Sequence, residues 1–180
     1  HYRVLVGRYF RQIFSSLGTL LPLVLQAPVM LVIVYLVCQK NAFQLRSPDA
    51  LTGANVTLFV LIIMSALMGI LNSYREICKE REILSREVFG GLDITAYVLS
   101  KFTVLSVIGI VQCAVLFGGT LLFIDFAFPV PATGYICAYA AMALTNISVM
   151  TVGLFISALL KKSESAILPV LFIIIVQVVF

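Results

Sequence analysis

The sequence predicts an all-α protein, a polytopic transmembrane helical bundle. Hydrophobic residues make up 62% of its 180 residues and charged residues only 11%, and the mean hydropathy is +1.13. Soluble globular domains carry about 25% charged residues, so the composition excludes that class. The apolar residues form continuous runs rather than the alternating pattern of a membrane β-barrel. Helices that cross a bilayer are therefore expected.

Five apolar runs predict the membrane spans, since a span needs about 20 apolar residues. The predicted spans are residues 17–38, 55–72, 97–123, 135–160 and 166–180. Residues 1–15 separate apolar from polar residues at helical spacing and predict an amphipathic helix at the membrane surface. Residues 1–180 thus form a single transmembrane domain. Because the last run is short for a span, we expect the chain to be a piece of a longer protein that stops in its fifth span.

One densely charged stretch, residues 73–88, separates the second and third spans, and we call it the charged segment. Eight of its sixteen residues are charged: Arg75, Glu76, Lys79, Glu80, Arg81, Glu82, Arg86 and Glu87. Such a density is too costly inside lipid, so the segment lies in water. Glu82 and Arg86 stand four residues apart in the order that stabilises a helix. We interpret the segment as a helical docking element, and a solvated loop is the open alternative.

The basic residues predict the orientation in the membrane. With a cytosolic N-terminus, ten basic residues fall on the inner side and only two, Lys40 and Arg46, on the outer side. The positive-inside rule therefore places the N-terminus and the charged segment in the cytosol. Lys101, one turn into the third span, is expected to extend its side chain back to the headgroups. The net charge of +4 follows from this distribution and requires no nucleic-acid partner.

Few side chains are suited to catalysis or metal binding. His1 is the only histidine, which excludes a Ser/His/Asp triad and a histidine metal site, and the four cysteines lack metal-ligand spacing. The sequence has no glycine-rich phosphate loop, so ATP binding is not expected in it. The centres of the spans hold no Asp, Glu, Arg or His, which disfavours a proton-coupled carrier. The polar residues between Thr145 and Thr151 either line a substrate path or join helices, and the second interpretation is favoured.

The order of these segments resembles the permease domain of type-2 ATP-binding-cassette exporters, especially the G-subfamily-like group with its bacterial members. The specific part is REICKEREILSRE followed by GGLDITAYVLSK, with Glu80 and Glu87 seven residues apart and then Tyr97, Ser100 and Lys101. The resemblance covers essentially the whole chain. Permeases of that family have six spans, and this chain departs from the pattern by stopping in the fifth.

The resemblance implies the partners of this chain. An ABC ATPase domain, in the same or an adjacent chain, would bind ATP and magnesium, so that this chain holds no cofactor or metal of its own. A second transmembrane domain would complete a homo- or heterodimer within the membrane lipid. The eight charged residues of the charged segment would then form the contact that couples the ATPase to the spans.

The resemblance also implies roles for single residues. Residues 1–15 would be the connecting helix, and Glu80 and Arg81 would contact the ATPase or the connecting-helix residues Arg8 and Arg11. A substrate path between the second and fifth spans would be lined by three residues of the second span: Ser65, Met68 and Asn72. The substrate expected from apolar and small polar side chains is lipidic or amphiphilic.

A different class of function stays open beside the exporter. A membrane scaffold without transport activity would use the charged segment to recruit a cytosolic partner. The two hypotheses differ in the reading frame around this sequence. An ATPase phosphate-binding loop, GxxxxGK[ST], upstream or in an adjacent chain would favour the exporter, and its absence from both would favour the scaffold.

Overall fold

The computed structural model describes residues 2–38, 50–124, 131–160 and 167–179. Every regular element in these ranges is helical, which confirms the predicted all-α class. The elements are α1 (Tyr2–Ser15), α2 (Leu17–Val37), α3 (Ala50–Ser73), a 3-10 turn (Cys78–Glu80), α4 (Arg81–Phe89), α5 (Ile94–Leu121), α6 (Pro131–Leu159) and α7 (Ile167–Val179). Four of them, α2, α3, α5 and α6, are long and apolar enough to cross a membrane.

Three helices begin a few residues before the predicted spans. At α5 the cause is Asp93, whose carboxylate accepts a hydrogen bond from the Thr95 amide at 3.0 Å and so caps the first turn. At α6 the first residue is Pro131, and proline is favoured there because its fixed φ suits a helix start. Residues 39–49, most of the stretch between the first two predicted spans, and residues 161–166, between the fourth predicted span and α7, lie outside the described residues.

Helix α5 is the centre of the bundle. Half of its most apolar stretch is buried, against 17% for α2. It packs against α1, α2, α3 and α6, and α3 makes its most extensive contact with α6. Many apolar side chains on α2, α6 and α7 stay exposed, as expected of helix faces that meet lipid tails.

The amphipathic helix α1 buries one side on the bundle. Leu5, Tyr9 and Ile13 are buried, whereas Arg8 and Arg11 are exposed. The contact is made with α5 rather than with lipid alone. The apolar periodicity of residues 1–15 thus gives α1 a fixed position beside the start of the central helix.

Gln112 joins three helices inside the bundle. Its side-chain amide on α5 donates to the Leu23 carbonyl of α2 at 2.7 Å and accepts from the Asn72 amide of α3 at 2.6 Å. Gln26 of α2 lies at the same level, with its amide oxygen 3.5 Å from the Gln112 nitrogen. A polar group in an apolar interior is costly unless it is hydrogen-bonded, so these partners fix the relative positions of the helices.

Three helices approach one another closely at Asn146. Its buried amide on α6 donates to the Ser65 carbonyl of α3 at 2.8 Å. Two glycines face it: a Cβ at Gly69 would meet the Asn146 backbone carbonyl, and a Cβ at Gly109 would meet its side-chain oxygen. Small residues allow membrane helices to approach closely. Asn146 is one of the polar residues between Thr145 and Thr151, and its observed role is to join helices.

We predict that Gly69→Ala destabilises the bundle. The added methyl group meets backbone, which cannot rotate away, and overpacking of this kind costs about 1–3 kcal/mol. Gly118→Ala on α5 is the matched control, since no atom lies within 4 Å of the added Cβ. Thermal unfolding of the purified protein in detergent measures both variants. Equal stability of the two variants would contradict the close approach at Asn146.

Candidate functional site

The prediction that the charged segment is one helix is wrong. Helix α3 ends at Ser73, a turn and the 3-10 turn follow, and only Arg81–Phe89 is α-helical. The cause lies in another helix: Ser157 of α6 accepts hydrogen bonds from the amides of Ile77 and Cys78, each at 3.0 Å. These backbone donors bond to a side chain of α6 instead of continuing α3. The chain therefore turns where it meets α6.

A group that we call the Lys101 cluster lies where the charged segment meets α5 and α1. Its members are Lys101 and Tyr97 of α5, Glu76 and Glu80 of the charged segment, and Tyr9 of α1. The Lys101 ammonium is 2.7 Å from a Glu80 carboxylate oxygen and 3.6 Å from a Glu76 oxygen. It also lies 4.0 Å from the centre of the Tyr9 ring, a distance at which a cation and an aromatic face attract.

The prediction that Lys101 reaches the headgroups is wrong. Its side chain is only 1% exposed and points into the protein. A buried ammonium is tolerated only when opposite charge and hydrogen bonds compensate its desolvation. Two carboxylates, the Glu76 backbone carbonyl at 3.3 Å and two aromatic rings supply that compensation.

Hydrogen bonds from two tyrosines complete the cluster. The Tyr97 hydroxyl donates to Glu80 at 2.7 Å, and the Tyr9 hydroxyl donates to Glu76. Burial and the adjacent Glu76 carboxylate raise the pKa of the Tyr9 phenol, so that this group remains a donor. Burial alone would raise the pKa of Glu80, but the Lys101 charge and the hydrogen bonds from Lys101 and Tyr97 outweigh it and hold that pKa below its ordinary value.

Helix α1 contacts the charged segment at two further points. The Arg8 guanidinium forms two parallel hydrogen bonds with the Glu87 carboxylate, at 2.9 and 3.0 Å. The Gln12 amide donates to Glu80 at 3.1 Å. The expected contact between Glu80 and α1 is thus made by Gln12, and Arg8 pairs with Glu87. Arg11 is exposed.

Arg81 bonds to the end of α6 rather than to the connecting-helix arginines. Its guanidinium donates to the Leu160 backbone carbonyl at 2.7 Å. The other exposed side chains of α4 include Glu82, Ile83, Arg86 and Phe89, of which Phe89 is 95% exposed. Of the eight charged residues, Glu76, Glu80, Arg81 and Glu87 bond to other elements, and Lys79 forms a local ion pair with Glu76 at 2.7 Å.

The three residues predicted for a substrate path lie on α3, with their side chains buried or half-buried in the bundle. Ser65 and Met68 are fully buried, and the Ser65 hydroxyl donates to the Met142 carbonyl of α6 at 2.6 Å. Asn72 is half-buried and bonds to Gln112. In the single chain these contacts are packing contacts. A role of the three residues toward substrate stays a prediction.

Sequence reasoning from periodicity missed Tyr9, Gln12 and Ser157 as partners of the charged segment. Their patterns are ordinary: a tyrosine on an apolar helix side, a glutamine on its polar side and a serine near the end of a span. Lys101 did carry a signal, because it is a lysine inside an apolar run. The two carboxylates that pair with it, Glu76 and Glu80, belong to the charged segment that precedes the third span.

The fold and this site define a polytopic membrane protein whose ion pairs, among the residues that the structure describes, gather at one end of the bundle. The model of the ABC2_membrane family, described as ABC-2 type transporter, matches residues 1–180. The chain therefore belongs to the ABC-2 type transporter family and is the membrane permease part of such a transporter. In this family ATP binding belongs to separate ATPase domains. No curated protein and no solved structure matches the chain.

We predict that Lys101→Met severely destabilises the protein. The substitution leaves two largely buried carboxylates without their shared cation, and breaking a buried pair costs about 3–5 kcal/mol. Lys79→Met is the matched control: its side chain is 37% exposed, and surface pairs contribute about 0–1 kcal/mol. Thermal unfolding in detergent compares the two variants. Equally small losses would contradict the importance of the Lys101 cluster.

We predict that the ionised Glu80 carboxylate contributes a part of the folding stability that is lost in acid. Its folded-state pKa lies below the ordinary value of about 4.3, so the stabilisation is complete above that value and is lost as the pH falls through the lower one. Native protein is expected to lose stability below about pH 4, and Glu80→Gln is expected to lose less. Glu82→Gln removes an exposed carboxylate and serves as control. Unfolding scans at several pH values test this; identical profiles for both variants would contradict it.

Proposed function

We propose that this chain is the permease of an ATP-driven exporter of a lipidic or amphiphilic substrate, and that the charged segment couples it to an ATPase domain. The observation that carries the proposal is the Lys101 cluster. It ties the charged segment at once to α1 and to α5, the central helix of the bundle. An element held in this way moves together with the spans.

The contacts divide the charged segment into two surfaces. Glu76, Glu80 and Glu87 bond inward to α1 and α5. Phe89, which is 95% accessible, is an exposed apolar residue outside these contacts, whereas Ile83, which is 58% accessible, lines the cleft beside α1 together with Glu80 and Glu87. Exposed apolar residues beside charges are typical of protein interfaces. We assign the ATPase contact to the exposed surface around Phe89, together with Glu82 and Arg86, while the inner charges transmit the movement.

The coupling mechanism is a rigid-body shift. Nucleotide binding would bring two ATPase domains together and displace the charged segments docked on them. The displacement would pass through the Arg8–Glu87 bridge to α1 and through Lys101 to α5. The resemblance to the G-subfamily-like group, in segment order and in the sequence of the charged segment, supports export as the direction of transport. It also supports a dimer of two such permeases. In that dimer Ser65, Met68 and Asn72 would face a shared substrate path.

We predict that Arg8→Glu and Glu87→Arg each uncouple the transporter, and that the double variant restores coupling. Each single change places like charges together, while the double variant re-forms the bridge in reverse. Because the pair is partly exposed, folding should change by less than about 1 kcal/mol. Coupling free energies of about 1–3 kcal/mol imply a loss of roughly tenfold in substrate-stimulated hydrolysis.

The measurement is ATP hydrolysis by the complete natural protein with its ATPase in lipid nanodiscs, with phospholipids, sterols and amphiphilic drugs added in turn, and transport in proteoliposomes beside it. Native coupling in both single variants would remove the bridge from the mechanism. If the complete protein hydrolyses no ATP, alone or with the ATPases encoded beside it, the exporter proposal fails and the recruiting scaffold is the better account.

A further inference from the structure

A groove between α2 and α3 is not used by the coupling mechanism. Its volume is about 580 Å³, within the range of about 300–1,000 Å³ typical of small-molecule sites. It follows α2 from Gly18 to Met30, a length of about 18 Å at 1.5 Å per residue. The apolar core of a bilayer is about 30 Å thick, so the groove extends through one leaflet.

The groove changes character along its length. Its mouth carries Arg75, Glu76 and Lys79 of the charged segment, and Leu25 and Val29 line the part along α2. These two apolar side chains are 49% and 54% exposed, so the groove opens sideways toward lipid. Gln26 and Asn72 also line the groove, and each donates a hydrogen bond to another group of the bundle. A polar mouth followed by an apolar strip at Leu25 and Val29 matches the shape and chemistry of a phospholipid.

The charges at the mouth favour an anionic headgroup. Lys79 pairs with Glu76, which also contacts Lys101 and Tyr9. Arg75 is exposed and has no ion-pair partner among the residues that the structure describes. Its guanidinium lies 5.0 Å from the centre of the Tyr74 ring, a contact that holds the cation at the mouth. An uncompensated arginine presents the planar donors that bind a phosphate best.

We propose that this groove binds an anionic phospholipid of the cytosolic leaflet, with its phosphate on Arg75 and one acyl chain along Leu25 and Val29. The inference goes beyond the proposed export activity, because it concerns binding whether or not the bound lipid is transported. Charge complementarity at Arg75 and the leaflet length of the groove carry it.

Fluorescence quenching tests the proposal, because this sequence contains no tryptophan. Val29→Trp places a reporter in the groove of the full-length protein, read as the difference from the unsubstituted protein. Val107→Trp on α5 is the matched control, with 51% exposure against 54% and a similar distance from the helix start. Both are reconstituted in phosphatidylcholine vesicles that contain brominated phosphatidylglycerol or brominated phosphatidylcholine at equal mole fraction.

Brominated phosphatidylglycerol is expected to quench Val29→Trp at about fivefold lower mole fraction than brominated phosphatidylcholine, the preference that one basic residue near a membrane gives. Val107→Trp is expected to show no preference. Arg75→Gln should abolish the preference at Val29→Trp, Arg75→Lys should retain most of it, and Arg3→Gln, which removes an exposed charge outside the groove, should leave it unchanged.

Equal quenching by the two lipids at Val29→Trp would overturn the proposal, as would a preference that survives Arg75→Gln. Absence of quenching by either lipid would also overturn it, since it would mean that protein, such as a second copy of the chain, covers the groove. None of these outcomes depends on ATP hydrolysis, so the lipid site and the export activity stand or fall separately.

Discussion

The buried ammonium of Lys101 is the constraint on which the end of the bundle that carries the charged segment depends. An isolated charge inside a helical bundle is costly, and the protein satisfies it with carboxylates from a segment that would otherwise be a solvated connection. Each buried charge of the Lys101 cluster would be costly without its partners, and this cost fixes the positions of those partners. Glu76 and Glu80 are held by Lys101, and the tyrosines that donate to them come from α1 and α5.

Order in the charged segment is imposed from outside it. A helix formed by local ion pairs alone would be short and marginal in water. Here Ser157 of α6 takes two of its backbone amides, Lys101 takes two of its carboxylates and Arg8 takes a third. Three helices therefore position one exposed turn of the chain. An element of this kind transmits force only as well as it is anchored, which is why the inward contacts support a coupling role more directly than the exposed charges do.

The interior of the bundle follows a different rule. Lipid offers no hydrophobic force between helices, so small residues and hydrogen bonds decide where they meet. Asn146 against Gly69 and Gly109, and Gln112 between α2 and α3, are such points. Between α2 and α3 the helices separate instead, and the groove left between them has a cationic mouth. The helices pack closely around Asn146 and Gln112 and separate at the groove between α2 and α3. The same bundle therefore has both rigid contacts and an open groove at its surface.

Composition and periodicity by themselves determined the class of this protein: a membrane bundle of long apolar helices, an amphipathic helix at its start and one charged connection between spans. These features are local, because hydropathy over about 20 residues and helical spacing need no knowledge of neighbours. The tertiary structure alone decided that Lys101 turns inward, that Arg8 pairs with Glu87 rather than Glu80, and that the charged segment turns after Ser73 and bonds to Ser157 of α6. Each of these outcomes depends on a partner between 21 and 80 residues away along the chain, brought close only by the packing of α1, α5 and α6.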